Sequence, residues 1–367
     1  MSPVRQIPHG TLDYAEVAAL GVRPDDLLVF SSNINPYGPP PAVVETLRGA
    51  LTPAIIARYP DRLSLELRAR LAAYHQIPET ALLVGNGTAD LLWLIGLLHL
   101  QRRHIAVLAP TFGEYENVAA LMAAPVTRVD YPGWQRQAEG SFLSGENVVG
   151  RCAQALAAAQ PEVVFVCNPN NPTGQVLRPD ELEQLYAAAP AALWIMDEAY
   201  LEFTAQPVSS IPWIGRGNWL VLRSMTKDFA LGGLRLGYVA GAPVLIGPLQ
   251  QAQSPWNTNS LAQLAGIACM DQRNWRETTL AQLRADCAEL RGELQAAGFA
   301  PLPTTVNYFL MPVADPARLR AALLQRRMVI RDCTSFGLPG YVRIAAQRPD
   351  ANRRLVAALT EYRSEER

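Results

Sequence analysis

Val163-Val-Phe-Val-Cys167 leads into Asn168-Pro-Asn-Asn-Pro-Thr-Gly174, and after a helical stretch from Asp180 to Ala189 comes Leu193-Trp-Ile-Met196, ending at Asp197. Two short apolar runs, each closed by polar residues and separated by an amphipathic segment, read as strand, loop, helix, strand. Strands apolar at every position are covered on both faces, which is how parallel sheets in α/β proteins are built. The same grammar continues outward. Upstream lie Ala81-Leu-Leu-Val84, followed by Gly85-Asn-Gly-Thr-Ala-Asp90 and a helical stretch, and Ile105-Ala-Val-Leu108, which ends at Pro110. Downstream, Trp219-Leu-Val-Leu222 ends at Arg223-Ser224. Ligands of such sheets sit at the carboxyl ends of the strands, and there this chain gathers Gly87, Thr88, Asn171, Asp197 and Ser224.

Beyond about residue 245 the pattern changes to α+β. Asn274 to Ala297 reads as a long amphipathic helix, with further helices over Pro316 to Gln325 and Pro349 to Tyr362. Tyr308 to Met311, Met328 to Arg331 and Tyr341 to Ala345 read as strands. The expected organisation is an N-terminal arm with part of a small domain (1–45), a large domain with a mostly parallel sheet and helices on both faces (46–245), and a small C-terminal α+β domain (246–367).

The 367 residues include 49% hydrophobic and 18% charged residues, a globular mix, and carry a net charge of −1. That balance excludes a strongly basic nucleic-acid binder, and the N-terminal arm has only Arg5 and Arg23 before Asn33. Five scattered cysteines without a C-x-x-C pair exclude a disulfide framework and a cysteine zinc site, and no metal is expected. The greasiest stretch, Leu91 to Leu100, contains His99 and is about half a membrane span. With no apolar leader after Met1, the expected location is the cytoplasm.

Each candidate site has a plain structural reading. Glycines between a strand and a helix, as in Gly85 to Asp90, let the backbone approach an anion at a helix N-terminus, but any tight turn looks similar. The stretch is neither a Walker loop nor a G-x-G-x-x-G fingerprint, which argues against a nucleotide-binding enzyme. Lys227 in Ser224-Met-Thr-Lys227, followed by Arg235 among glycines, combines an amine that a pocket can activate with a guanidinium that can grip phosphate. A lone lysine is more often a solvated one. Asp197 at a buried strand end needs either a capping role or a cation, and a protonated pyridine nitrogen is such a cation.

Taken together and in order, Gly87-Thr88-Ala89, Pro110-Thr-Phe-Gly-Glu-Tyr115, Asn168 to Gly174, Asp197-Glu-Ala-Tyr200, Ser224 to Lys227 and Gly233-Leu-Arg235 resemble the pyridoxal-phosphate (PLP) enzymes of fold type I, aminotransferase class I/II. The resemblance covers nearly the whole chain and implies an aspartate-aminotransferase-like α/β fold. It implies that Lys227 is the Schiff-base lysine and proton shuttle, that Asp197 pairs with the pyridine nitrogen, and that Asn171 and Tyr200 bond the ring hydroxyl. Phe112 would stack on the ring. Gly87, Thr88, Ala89, Ser224 and Arg235 would hold the cofactor phosphate, and Arg343 would clamp a substrate carboxylate. Tyr59, in Arg58-Tyr-Pro-Asp61, would reach the cofactor phosphate of a neighbouring subunit, which implies a homodimer with its active site at the interface.

Two subfamilies with phosphorylated substrates compete: threonine-phosphate decarboxylase of the cobalamin pathway, which leads, and histidinol-phosphate aminotransferase. Phe30 to Pro36, Arg223 to Lys227, Pro255-Trp256 and Ile330 to Cys333 resemble the decarboxylase, in which case His9, Asn33 and Arg331 would contact the substrate phosphate. Asn35-Pro-Tyr-Gly38 and Tyr200 resemble the aminotransferase, and Thr11 stands where the decarboxylase pattern has a second glycine. The two reactions differ by rotation about one bond of the substrate, which a residue inventory does not decide. Asp228, directly after Lys227, has no role in either pattern.

Overall fold

A computed structural model describes residues 12–134 and 148–365. His9 lies outside the described residues.

Among the described residues, twelve strands form three sheets. In chain order they are β1 (Leu28–Val29), β2 (Leu82–Gly85), β3 (Ile105–Ala109), β4 (Val126–Asp130), β5 (Val163–Cys167), β6 (Leu193–Asp197), β7 (Trp219–Ser224), β8 (Gly237–Gly241), β9 (Tyr308–Pro312), β10 (Met328–Val329), β11 (Arg331–Asp332) and β12 (Tyr341–Ala345). The main sheet has seven strands in the order β2-β8-β7-β6-β5-β3-β4. Its pairings are parallel except those of β8, which runs antiparallel to both β2 and β7. Every residue of β5, β6 and β7 is buried, as the unbroken apolar runs predicted. Helices cover both faces, and their apolar sides form separate cores above and below the sheet.

Besides the two-residue β1, two strands of the main sheet escaped the sequence reading for physical reasons. β8 is a short Tyr-Val-Ala between glycines, with too little side-chain signal to separate it from a turn. β4 lies at the sheet edge and carries the polar alternation Val-Thr-Arg-Val-Asp rather than an apolar run.

The local signals for the helices are conventional. Pro179–Ala188 begins with proline at its first position, and the Glu181 carboxylate accepts from the Arg178 N–H at 2.8 Å. Asp315 caps Pro316–Gln325 by accepting from the Arg318 N–H at 2.9 Å. The long helix Arg273–Ala296 buries Leu280, Leu283, Cys287, Leu290 and Leu294 along one face, against β9, β12 and the C-terminal helix Pro349–Glu365.

The expected strand from Met328 to Arg331 is in fact two. β10 pairs in parallel with β1, whereas β11 pairs antiparallel with β12. The chain changes sheets at the buried Ile330. Thus the N-terminal segment is hydrogen-bonded to the C-terminal third, and Arg331 lies opposite Arg343 in register. All five cysteines are buried and free.

Candidate active site

The carboxyl edge of the main sheet carries the site. Asp197 is the last residue of β6 and Ser224 the last of β7, and Lys227 follows three residues on. Asp197 is buried and accepts two hydrogen bonds, from the Tyr115 hydroxyl at 2.7 Å and from the Ala199 N–H at 3.0 Å. Burial pushes its carboxyl upward in pKa, against the pull of those two donors and of Lys227. A second cation beside it would settle the charge. Lys227 is densely surrounded, although its side chain keeps an intermediate exposure toward the cleft. Burial first, then Arg235 and Arg343, lower its ammonium to about 8, and Asp197 opposes them. An amine so placed is far closer to its nucleophilic form than a surface lysine, whose pKa is about 10.4.

Beside the lysine is a cradle sized for an oxyanion. Gly87 sits before the helix Thr88–His99 with φ +84°, and no side chain caps that helix end. A Cβ at Gly87 would lie 2.7 Å from the Arg235 guanidinium, so any other residue would close the space. Gly237 is needed for the same reason, since a Cβ there would meet the Thr88 nitrogen at 2.9 Å. Arg235 itself holds φ +60° and donates to the Gly232 carbonyl at 3.1 Å. Ser224 Oγ lies 2.7 Å from Thr226 Oγ1. Free helix N–H groups, a hydroxyl and a guanidinium converge here, the donor set a phosphate dianion requires.

Across the cleft the small sheet supplies two arginines. Arg343 donates to Asn171 Oδ1 and, at 2.7 Å, to the Ser31 carbonyl, and its guanidinium lies 5.4 Å from the Tyr308 ring. Its Nε is buried without a partner. Arg331 donates to Ser335 Oγ at 2.8 Å and stacks 5.3 Å from the Phe336 ring. Burial and the neighbouring Arg343 push the Arg331 guanidinium down to about 10. The two guanidiniums thus lie close enough for each charge to bear on the other. Tyr200 packs edge-on to Tyr308 at 5.0 Å, with the buried Asn33 amide beside its hydroxyl; neither amide atom of Asn33 completes a well-shaped hydrogen bond.

The tertiary structure therefore brings Gly87, Thr88, Asn171, Asp197, Ser224, Lys227, Arg235, Arg331 and Arg343 to one cleft. Phe112 stands half-buried, edge-on to Tyr115 at 5.6 Å. Tyr59 behaves differently: it is 78% exposed and stacks on Trp256 at 4.6 Å.

Sequence reasoning overlooked three supports. Tyr115 lay inside a quoted motif, and its position three residues beyond Phe112 at a helix start is the signal that would have found it. Asn35 closes on the lysine from the N-terminal segment: its N–H donates to the Lys227 carbonyl at 2.9 Å and its amide to the Asp228 carbonyl at 3.0 Å. Asp228, unexplained by sequence, is buried against Arg276 of the long helix at 3.5 Å. Arg276 also pairs with Glu202 at 3.2 Å, and Arg223 joins Glu202 to Glu198. This buried chain of alternating charge ties the lysine-bearing loop to the small-domain side of the molecule. Among the described residues, no group of three or more His, Cys, Asp or Glu could hold a metal ion, and no helix is long and apolar enough to cross a membrane.

A seven-stranded sheet with a buried carboxylate and a lysine of lowered pKa at its carboxyl edge is the aspartate-aminotransferase-like fold, and the family match makes the chain a PLP-dependent enzyme. The chain belongs to the aminotransferase class I and II family, whose model matches residues 25–359. It is 34% identical over 339 residues to the histidinol-phosphate aminotransferase of Symbiobacterium thermophilum, covering 91% of this chain and 90% of that one. It is 33% identical over 363 residues to the threonine-phosphate decarboxylase of Salmonella typhimurium, covering 96% and 95%. The histidinol-phosphate aminotransferase of Sinorhizobium meliloti, solved in complex with pyridoxal-5'-phosphate, shares the fold at a TM-score of 0.81 and 20% identity, covering 98% of this chain and 96% of its own.

Proposed function

We propose that this chain is an aminotransferase of the histidinol-phosphate type, acting on a small phosphorylated amino compound. The observation that carries the substrate class is the pairing of Arg331 with Arg343 on adjacent strands, Arg343 lying near enough to Lys227 to lower its pKa. Two guanidiniums within one cleft fit a substrate that brings a dianion. Preference for transamination over decarboxylation rests on relatives: histidinol-phosphate aminotransferases recur among those compared. This reverses the order in which the sequence alone ranked the two reactions. Decarboxylation of threonine phosphate, the cobalamin-pathway reaction, is the second reading, favoured by a match that spans 96% of the chain and by the placement of Asn33 near Tyr200.

In this reading PLP, when bound, supplies an electron sink for the bond broken at the substrate α-carbon. Lys227 holds the cofactor and moves the proton at that carbon. Asp197, kept in place by Tyr115, would pair with the pyridine nitrogen and keep it charged. Asn171 and Tyr200 orient the ring through its hydroxyl, and Phe112 covers one ring face. Gly87, Thr88 and Ala89 with Ser224 and Arg235 hold the cofactor phosphate. Arg343 and Arg331 hold the phosphate of the substrate. We further propose a cytoplasmic homodimer: the exposed Tyr59–Trp256 stack, with Ile56 at 73% exposure nearby in sequence, is an apolar surface that a second copy would cover, bringing Tyr59 to the partner's cofactor phosphate.

Single-turnover reactions of the holoenzyme with L-histidinol phosphate and with L-threonine O-3-phosphate, with no keto acid present, test the proposal. The expected result is stoichiometric conversion of the cofactor to pyridoxamine phosphate with histidinol phosphate and no carbon dioxide. Catalytic release of carbon dioxide from threonine phosphate would overturn it in favour of the decarboxylase.

A further inference from the structure

Away from the catalytic cleft, the long helix Arg273–Ala296 presents Arg284, Cys287 and Arg291 along one side, three and then four residues apart. They line an open pocket of about 420 Å³ together with residues 204–206 and 304–306. Its lining contains two guanidiniums and no carboxylate. Arg284 is oriented by the carbonyls of Phe203 and Thr204, which accept from its Nη1 at 3.4 and 3.3 Å, and burial lowers its pKa. Arg291 has a buried Nε without a partner and no ion pair among the described residues. The threonine hydroxyls in the wall are already committed. Thr204 donates to Leu201 O at 2.8 Å, Thr304 to Tyr308 O at 2.6 Å and Thr305 to Gly174 O at 2.8 Å. Cys287, whose thiol lies 3.7 Å from the Val306 carbonyl, Ala205, Ala288, Val176 and Val306 are the apolar part of the surface, and Gln206 adds an uncharged amide.

We propose that this cavity is a second binding site, for a small organic dianion: two acidic oxygens on the guanidiniums and an apolar body against Val176, Val306 and Ala288. Guanidinium forks match phosphate or carboxylate oxygens bidentately, and a ligand of this kind supplies the counter-charge that the cavity walls lack. The volume is that of an ordinary small-molecule pocket, about 300–1,000 Å³. The site is separate from the catalytic cleft but touches its frame. Thr305 holds the carbonyl of Gly174, three residues after Asn171, and the Tyr308 hydroxyl donates to the Asn170 carbonyl at 3.1 Å. The inference goes beyond the proposed reaction and holds whichever amino compound is turned over.

Phenyl phosphate is a suitable probe, with phenol as the uncharged control, titrated calorimetrically into holoenzyme at constant ionic strength. Arg331→Ala is the background, so that the proposed substrate phosphate position is weakened. Saturable binding of phenyl phosphate but not phenol is expected, and adding Arg291→Ala should weaken it at least about tenfold, the loss of one charge-assisted fork. Absence of saturable binding, or equal affinity with and without Arg291, would overturn the proposal. Arg291→Lys keeps the charge and loses the fork. If the alanine variant does not fold, an affinity unchanged in Arg291→Lys overturns the proposal equally, and a weakening of about threefold or more supports it.

Discussion

Tyr115 donates a 2.7 Å hydrogen bond to Asp197, so the first turn of the helix Glu114–Leu121 sets the position of the carboxylate at the end of β6. The ring of Tyr115 is itself held by stacking on Phe165 at 5.0 Å. Tyr115→Phe keeps this packing and removes the donor. Leaving a buried carboxylate short of one hydrogen bond costs about 1–3 kcal/mol. We expect kcat/KM to fall by about tenfold or more, PLP to dissociate faster, and the apoprotein to lose about 1–3 kcal/mol of stability. A variant with wild-type cofactor retention would show that Tyr115 has no part in holding Asp197.

Lys227 carries a pKa of about 8 in the protein without cofactor, lowered chiefly by burial. The reactive amine is the deprotonated form, which accumulates above that pKa. The rate at which apoprotein captures PLP in a borohydride-fixable form should therefore rise with pH to a half-maximum near 8, well below the value of about 10.4 for a free lysine. Lys227→Ala should abolish fixation altogether. Fixation persisting on another lysine would displace Lys227 from its role.

Arg331 and Arg343 oppose each other across β11 and β12. If Arg331 meets the substrate phosphate, Arg331→Ala raises KM for phosphorylated substrates by about 10- to 100-fold, the value of a charge-assisted hydrogen bond. Unphosphorylated analogues should change by no more than about threefold. Equal weakening of both classes removes Arg331 from the phosphate position.

Arg276 stands between two buried carboxylates, Asp228 at 3.5 Å and Glu202 at 3.2 Å. Arg276→Ala strands Asp228 and leaves Glu202 with Arg223 alone, a loss of about 3–5 kcal/mol in unfolding free energy, measurable as a lower urea midpoint. Burial already raises the Asp228 carboxyl to about 6. Asp228→Asn should therefore be far milder, and Arg276→Ala/Asp228→Asn should lose less than the sum of the two. Strict additivity would show that the pair is not coupled.

His75 meets the Tyr238 hydroxyl at 2.7 Å and is held neutral, its pKa lowered to about 3 by burial first and then by Arg223 and Arg276, against Glu202. In the unfolded chain it titrates near about 6.5. Between these values the unfolded state binds the extra proton, so the stabilisation is complete above about 6.5 and is lost as pH falls toward about 3. The slope from this residue is at most about 1.4 kcal/mol per pH unit. His75→Gln should flatten stability over that window, and an unchanged acid profile would assign the slope to other groups.

By itself the sequence determined what depends on short-range pattern: the apolar runs of β5, β6 and β7, the helices begun by Pro179 and Pro316, and the polar residues at strand ends that mark the site. Those features rest on side-chain periodicity and capping, which operate within a few residues. Tertiary structure alone decided what joins distant segments. It split Met328 to Asp332 between two sheets, because β1 and β12 compete for neighbouring residues of one chain. It set Arg331 against Arg343, hung Asp197 on Tyr115, and explained Asp228 through Arg276, 48 residues away. None of these partners lies within helix or strand spacing of the other, so only the closed chain, where burial forces each charge to find a counter-charge, selects them.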